Sequence, residues 1–252
     1  MKLGYQAQAG QSSGRLPAIV EYILAYGGLL AFAAVTLPWS LASSLLYRIL
    51  PQRVITRIGP RMVTAVARTY IGILRCTGQV HFDLGALDTL HGQVIIAPNH
   101  PSLLDAVMVI SRVPGAVCIT KAELWDNPLL GGGMRMAGYI RNDTPVALTK
   151  LAIAKLRQNR PLLLFPEGTR TTLQPVNQFR GGFALMAKLA GVPVQTVFIE
   201  TNSRFLGKGW PLLKKPDLPL VYRVRLGRRF EVEGDVRQFV ATLEQYFRDE
   251  LR

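Results

Sequence analysis

From Gly78 to the C-terminus, short β-like runs alternate with segments whose apolar residues recur at helical spacing, and this alternation limits the fold more than any other feature of the chain. The runs at 93–98 (QVIIAP), 116–120 (AVCIT), 161–166 (PLLLFP), 192–200 (VPVQTVFIE) and 222–230 (YRVRLGRRF) read as strands. Helical patterns occupy 102–112, 144–159, 181–190 and 235–251. The order predicts an α/β fold, a largely parallel sheet flanked by helices, with reactive residues on loops that leave the carboxyl ends of the strands. No repeat and no Pro/Gly/Ser linker divides this part, so residues 76–252 read as one domain.

The first third of the chain has a different texture. No charged residue occurs in the 26 positions from Tyr22 to Tyr47. A bilayer span takes about 20 apolar residues, but Gly27-Gly28 and Pro38 interrupt this one. An internal proline removes a helix hydrogen bond and kinks the chain, so two short helices joined near Pro38 fit as well as one straight span. The expectation is a membrane-embedded helical hairpin or interfacial anchor over residues 19–75. Six arginines and no acid follow between 48 and 75. By the positive-inside rule they hold this flank and all that follows on the cytoplasmic face, at the inner membrane in a bacterium. Arg53, Arg57 and Arg61 would line one face of an amphipathic helix against lipid headgroups, a solvated helix face being the alternative. Ala31-Phe32-Ala33 has the small-residue form of a signal-peptide cleavage site, yet the apolar run continues past it into arginines, which argues against cleavage. Residues 1–18, polar and rich in Gly, Gln and Ser, read as a flexible tail.

Charge narrows the partners. Residues 1–82 carry eight bases against the single acid Glu21, half of the chain's net charge of +14, and this excess adjoins the apolar run. Bases beside an apolar segment point to a membrane surface. Zinc-finger, homeodomain and RNP-type signatures are missing, so nucleic acid is not an expected partner. An apolar fraction of 49% supports a packed core and excludes general disorder. Cys76 and Cys118 lie far apart without metal-ligand spacing, which favours a reducing compartment and neither a disulfide framework nor a metal site. Gly131-Gly132-Gly133 with Gly138 fails the dinucleotide fingerprint because Met136 stands where a glycine is needed. Gly10-Gln11-Ser12-Ser13-Gly14 satisfies G-x-S-x-G but lies in the polar tail, without the strand and helix that a serine nucleophile requires.

Reactive residues collect in two places. Of the three histidines, His81 and His91 carry no motif, whereas His100 lies in Asn99-His100-Pro101-Ser102-Leu103-Leu104-Asp105, between a buried-type strand and a helix. Five positions along one helix would turn Asp105 about 140° away from His100, so the two can meet only if His100 lies in the preceding loop. A carboxylate on one imidazole nitrogen fixes the tautomer and supports a proton taken up on the other, which makes a base able to deprotonate a substrate hydroxyl. A structural His beside a first-turn acid is the plain alternative. Backbone N–H groups at the helix start, near Pro101 to Leu103, are expected to stabilise an oxyanion. The second place is Phe165-Pro166-Glu167-Gly168-Thr169-Arg170, again directly after a strand. Pro and Gly set a tight turn, Thr169 offers a hydroxyl and Arg170 a planar fork suited to phosphate, and the plain alternative is an ordinary β-turn.

Together, NHPSLLD and, some sixty residues on, FPEGTR resemble the glycerolipid acyltransferase family, in particular 1-acylglycerol-3-phosphate and lysophospholipid acyltransferases. The resemblance covers roughly residues 78–205 and extends to the amphiphilic N-terminal helices. It implies that His100 and Asp105 are catalytic and that Glu167, Gly168, Thr169 and Arg170 bind the acceptor, with the arginine on its phosphate. It also implies transfer of an acyl chain from coenzyme A or acyl carrier protein to a lipid hydroxyl, with 1-acylglycerol-3-phosphate as acceptor and phosphatidic acid as product. The thioester is then a co-substrate, and neither metal nor other cofactor is required. Two departures bear on the acceptor. Arg141 follows Gly138 by three residues, only approximating the family's second block, and would either bind phosphate or pair with Asp143; Thr196 replaces the second proline of the fourth block. Arg180, before Gly181-Gly182, resembles a basic-Gly step and would add a phosphate contact or be a surface residue. The alternatives are an acyltransferase for a specialised or polyene-type acceptor, a hydrolase using water at His100, and a non-catalytic membrane lipid-binding protein.

Overall fold

The computed structural model describes residues 17–211 and 214–252, so the G-x-S-x-G sequence at 10–14 and most of the expected tail lie outside the described residues. The first element is one continuous helix, α1 (Ala18–Ile49), which passes through Pro38. The chain turns instead at Leu50-Pro51. Leu50 is extended, with φ −86° and ψ 141°, as the clash with a following proline ring demands, and Pro51 stands at the N-terminus of α2 (Gln52–Cys76). Of the two readings left open at Pro38, the straight one forms, and the turn that makes the helical hairpin lies at Pro51, where α1 pairs with α2.

The sheet has seven strands, β1 (Val80–Asp83), β2 (Ile95–Pro98), β3 (Val117–Lys121), β4 (Ile140–Asn142), β5 (Leu162–Leu163), β6 (Val194–Thr201) and β7 (Leu220–Phe230). Their spatial order is β1-β7-β6-β2-β5-β3-β4, with every pair parallel except β6 and β7. The helices are α3 (Leu104–Arg112), α4 (Ala122–Asp126), α5 (Gly131–Ala137), α6 (Pro145–Arg157), α7 (Gly182–Ala190) and α8 (Val236–Glu250). The largely parallel α/β sheet and each of the five strands and four helices read from the sequence are present. The short elements β1, β4, α4 and α5 leave no periodic signal of their own.

Side-chain alternation puts a core on each face of the sheet. Ile95 and Ala97 of β2 join Phe183, Leu243 and Phe247 from α7 and α8. Ile96, between them, points the other way and joins Leu104 and Met108 of α3. Tyr70, Ile71 and Leu74 of α2 belong to that second core, so residues on the two sides of position 76 pack as one body.

The two N-terminal helices bury different fractions of themselves. On α2, Arg53, Arg57 and Arg61 are exposed together, while Ile55, Gly59, Thr64 and Ala67 are buried. Along α1, Ile19, Ile23, Leu30, Leu41, Leu45 and Ile49 are exposed, and by length and composition this helix could cross a membrane. Its inner flank meets α5 at close range. A Cβ on Gly132 would collide with the Ser40 carbonyl and Ser44 hydroxyl, and one on Gly59 with the Met136 carbonyl. The glycine run at 131–133 therefore serves close helix approach, which small residues permit.

Candidate active site

The strand order places a divergence point beside β2. The connection after β2 leads through α3 to β3 on one side, while the connection after its neighbour β6 leads to β7 on the other. Crevices of this kind, beyond the carboxyl ends of strands, are where open α/β sheets bind ligands. His100 leaves β2 here, and the FPEGTR turn leaves β5 directly alongside.

His100 sits in the loop, as the five-residue spacing required, because α3 does not begin until Leu104. Its Nδ1 is 2.8 Å from Oδ2 of Asp105. That same oxygen accepts the Ser102 N–H at 2.7 Å, and the Asp105 side chain is fully buried. Burial pushes the Asp105 carboxyl up to about 6, against the pull of the His100 hydrogen bond and charge and of the Ser102 N–H. With Asp105 ionised, Nδ1 carries the proton and Nε2 presents its lone pair, so the ring can accept a proton there.

The backbone on both sides of His100 is pinned. Asn99, buried, donates from Nδ2 to the Ile199 carbonyl at 2.9 Å and accepts the Ile199 N–H at 2.7 Å, which extends the β2–β6 ladder through a side chain. The His100 N–H donates to Oε1 of Glu167 at 3.0 Å, and its carbonyl accepts the Thr171 N–H at 2.7 Å. The ring of Phe165 stacks on the imidazole, centroid to centroid at 3.7 Å and nearly parallel at 15°. Ser102 is buried beneath: its hydroxyl donates to the Phe205 carbonyl at 3.0 Å and accepts from the Tyr222 hydroxyl at 3.2 Å.

The expected oxyanion donors are not available. Pro101 has no N–H, the Ser102 N–H goes to Asp105, the Leu103 N–H to the Leu206 carbonyl and the Leu104 N–H to the Ser102 hydroxyl. That expectation is corrected: the helix start closes on its own neighbours, and no N–H from 102 to 104 is free.

Of the residues read as acceptor-binding, Glu167 is 2% exposed. Oε1 accepts from His100 N–H and the Thr171 hydroxyl, the latter at 2.7 Å, and Oε2 accepts the Asn177 N–H at 2.9 Å. Its oxygens therefore join the two motifs to each other. Gly168 is exposed with φ +65°, a conformation that favours glycine, and the Arg180 side chain lies against the space where a Cβ would stand. Thr169 is half-buried. Arg170 donates from one guanidinium nitrogen to the Leu206 and Gly207 carbonyls at 2.8 and 3.0 Å, which ties the turn to the loop after β6. Arg141 lies apart, on edge strand β4, where Asp126 of α4 and Asp143 hold its guanidinium. Sequence reasoning did not single out Phe165, Asn99, Asn177 or the Ser102–Tyr222 pair. Among the described residues, no group of His, Cys, Asp and Glu gathers as a metal would require.

Comparison with known proteins agrees with this architecture. A family model described as Acyltransferase matches residues 75–200, from the end of α2 to β6. A 1-acyl-sn-glycerol-3-phosphate acyltransferase of Helicobacter pylori is 41% identical over 93 residues, 34% of this chain and 38% of that protein. One of Pseudomonas aeruginosa is 24% identical over 223 residues, 86% of this chain and 84% of its own length. The first of these alignments thus spans well under half of the relative. The crystal structure of the 1-acyl-sn-glycerophosphate acyltransferase of Thermotoga maritima superposes with a TM-score of 0.66 over 92% of this chain and 94% of that one, at 18% identity, and so shares the fold. Since the family match takes in half of the sequence, including the loop that carries the His100–Asp105 pair and the turn bonded to it, the chain belongs to the Acyltransferase family.

Proposed function

We propose that the chain is an O-acyltransferase that moves a fatty acyl group from a thioester, on coenzyme A or acyl carrier protein, to the free hydroxyl of 1-acylglycerol-3-phosphate, giving phosphatidic acid. The observation that carries this reading is the His100 Nδ1–Asp105 Oδ2 contact of 2.8 Å, held under the Phe165–Arg170 turn in a chain of this family. In the reaction, Nε2 of His100 takes the acceptor hydroxyl proton as that oxygen attacks the thioester carbonyl. The tetrahedral intermediate collapses, the C–S bond breaks, and the proton passes from His100 to the departing thiolate. Asp105 stabilises the imidazolium in between. No metal and no covalent enzyme intermediate enters the scheme.

Glu167 acts here as a positioning residue, and Arg170 shapes the wall of the crevice while its remaining donors face the acceptor phosphate, with Thr169 and Gly168 beside it. Residues 19–75 hold the chain to the bilayer, through the exposed apolar face of α1 and the arginines of α2, with the chemistry in residues 76–252 on the cytoplasmic face. The C-terminal half of α2 serves both parts. A specialised acceptor is the second reading, favoured by Arg141: with two carboxylates on its guanidinium, this position offers a phosphate no net positive charge.

The test is a lysolipid panel with labelled acyl-thioester donors, read by mass spectrometry on wild type and His100→Ala. Acylated 1-acylglycerol-3-phosphate that disappears in the variant is the expected result. Wild-type turnover in a folded His100→Ala protein would overturn the assignment, and transfer only to a phosphate-free lysolipid would select the second reading.

A further inference from the structure

Asp105 carries its charge on few donors. Oδ2 accepts the Ser102 N–H at 2.7 Å and bonds to His100 Nδ1 at 2.8 Å, while Oδ1, also buried, accepts no donor from the described residues. A carboxylate fully removed from water depends on every hydrogen bond it receives, so the placement of the Ser102 N–H bears directly on the dyad. Ser102 is itself fully buried, and its Oγ is saturated. Its one proton goes to the Phe205 carbonyl at 3.0 Å, and its lone pairs take the Leu104 N–H at 3.3 Å and the Tyr222 hydroxyl at 3.2 Å. With the serine proton so used, Tyr222 must be the donor.

We propose that Tyr222, on β7 and 120 residues from Ser102, is a positioning residue for the dyad: its phenol fixes Ser102, and the Ser102 N–H thereby holds the Asp105 carboxylate in its charged form behind His100. The inference rests on the acyl-transfer reading above and adds to it a residue outside both motifs. Two arguments carry it. The Tyr222 side chain is 0% exposed, with its ring stacked on Phe82 at 5.8 Å between centroids. A phenylalanine would fill that volume as well, whereas a buried hydroxyl has to be bonded, and this one bonds to the residue that donates to Asp105. The three partners of Ser102 Oγ also come from three separate elements: β7, the loop after β6 and the first residue of α3. A hydroxyl with all three positions occupied has no free rotation, so Ser102 is held from three sides.

The groups that face these residues give the sign of the effect. Burial raises the Asp105 carboxyl, His100 from the dyad loop and the Ser102 N–H pull it down, and the charge of Glu167 from the FPEGTR turn pushes it up again. Burial also pushes the Tyr222 phenol up to about 12, with Tyr70 of α2 and Asp105 acting in the same direction, so Tyr222 remains a neutral donor throughout the range in which Asp105 titrates. Loosening the Ser102 N–H removes one of the interactions that favour the charged carboxylate. The carboxyl should then take up its proton at a higher pH.

The experiment uses the full chain in nanodiscs, with Tyr222→Phe, Ser102→Ala and the double variant. The acid limb of kcat, set by Asp105 at about 6 in wild type, should move up in Tyr222→Phe by roughly half a pH unit to one unit, the shift that a weakened hydrogen bond to a charged group produces. The KM of both substrates should stay within about twofold. Ser102→Ala should move the limb at least as far, and adding Tyr222→Phe to it should move it no further, since the phenol acts through a hydroxyl already gone. A limb that stays in place in folded Tyr222→Phe, even with a lowered Tm, overturns the proposal and leaves Tyr222 a core residue. An equal further shift in the double variant overturns it too, and the first of these results needs no folded Ser102→Ala protein. A proton readout separates this idea from the reaction assignment. In protein carrying isotope-labelled histidine, the His100 imidazole resonance, identified by its loss in His100→Ala, should show an inflection that moves up in Tyr222→Phe even if the protein transfers nothing. An unmoved inflection removes the idea whatever the activity.

Discussion

Two carboxylates flank His100, Asp105 at 0% and Glu167 at 2% exposure, and three of their four oxygens accept N–H or O–H donors. On the loop after β6, Arg204 and Lys208 are exposed, and among the described residues neither has a carboxylate partner. A buried charge persists only when it is paired and hydrogen-bonded, so each group at the centre holds others in place and its removal orphans them. A solvated charge at the rim can be removed without leaving an unsatisfied partner. Substitutions at the centre should therefore alter chemistry and stability together, and those at the rim should alter binding alone.

Asp105→Asn is the largest test of that contrast. Losing the anion behind the imidazole should lower turnover roughly 10²- to 10⁴-fold. In wild type, turnover should fall as pH drops through about 6, where the buried carboxyl takes up its proton. Stability runs the opposite way. The native carboxyl holds its proton more tightly than the unfolded one, whose ordinary value is 3.8, so its stabilising contribution is fully present below that value and is lost as pH rises through about 6. Thermal melts of Asp105→Asn across pH 4 to 7 should show a flatter slope than wild type, with the variant folded and nearly inactive at pH 7. An equal slope in the two proteins would mean that Asp105 is not the titrating group.

Glu167→Gln comes next. Both Glu167 oxygens accept N–H groups, whereas glutamine has one acceptor, so either His100 or Asn177 must face an NH₂. The unsatisfied pair should destabilise the protein by about 1–3 kcal/mol, lowering Tm, and should reduce kcat because the backbone of His100 shifts, with the acceptor KM little changed. A raised acceptor KM at unchanged Tm would instead mean that Glu167 touches substrate.

Phe165→Leu keeps apolar volume but removes the ring stacked at 3.7 Å on the imidazole. Aromatic pairs are worth about 0.5–1.5 kcal/mol beyond their area, so kcat should fall by up to about tenfold. Phe165→Tyr should restore it, which a purely volumetric role would not predict, since leucine also fills space.

Long or fully apolar elements are legible in the sequence alone. Strands β2, β3, β6 and β7 and helices α3, α6, α7 and α8 each carry enough periodic residues to be read, and the His100–Asp105 geometry follows from helix arithmetic plus a strand-to-helix boundary. The choice left open at Pro38 is not legible because a proline inside a helix and one between helices look alike in sequence; the difference lies in packing, where Ser40 and Ser44 dock on Gly132 and α1 runs on past Pro38 to turn at Pro51. The oxyanion expectation fails because N–H groups at a helix start are free only if nothing folds over them, and Leu206 and Asp105 do so from 103 and 3 residues away. The roles of Glu167 and Asn177 are hidden for a similar reason: their partners belong to the other motif or to a turn whose shape no local pattern records.

The smallest expected effect is at Arg141, where the contrast between centre and rim can be sharpened. Its guanidinium is 35% exposed and already faces Asp126 and Asp143, both more exposed still. Exposed ion pairs of this kind contribute little, and removing the arginine leaves two solvated carboxylates that water can satisfy. Arg141→Gln should therefore leave Tm nearly unchanged and alter kcat and the acceptor KM by no more than about twofold, while Arg170→Gln, which frees the Leu206 and Gly207 carbonyls, should raise the acceptor KM because the turn is no longer tied to the loop after β6. If Arg141→Gln instead weakened binding of the phosphate-bearing acceptor roughly tenfold, with no such loss for a phosphate-free lysolipid, the two carboxylates must release the guanidinium when a phosphate arrives. Edge strand β4 would then belong to the acceptor site, and the approximate second block would be a working one.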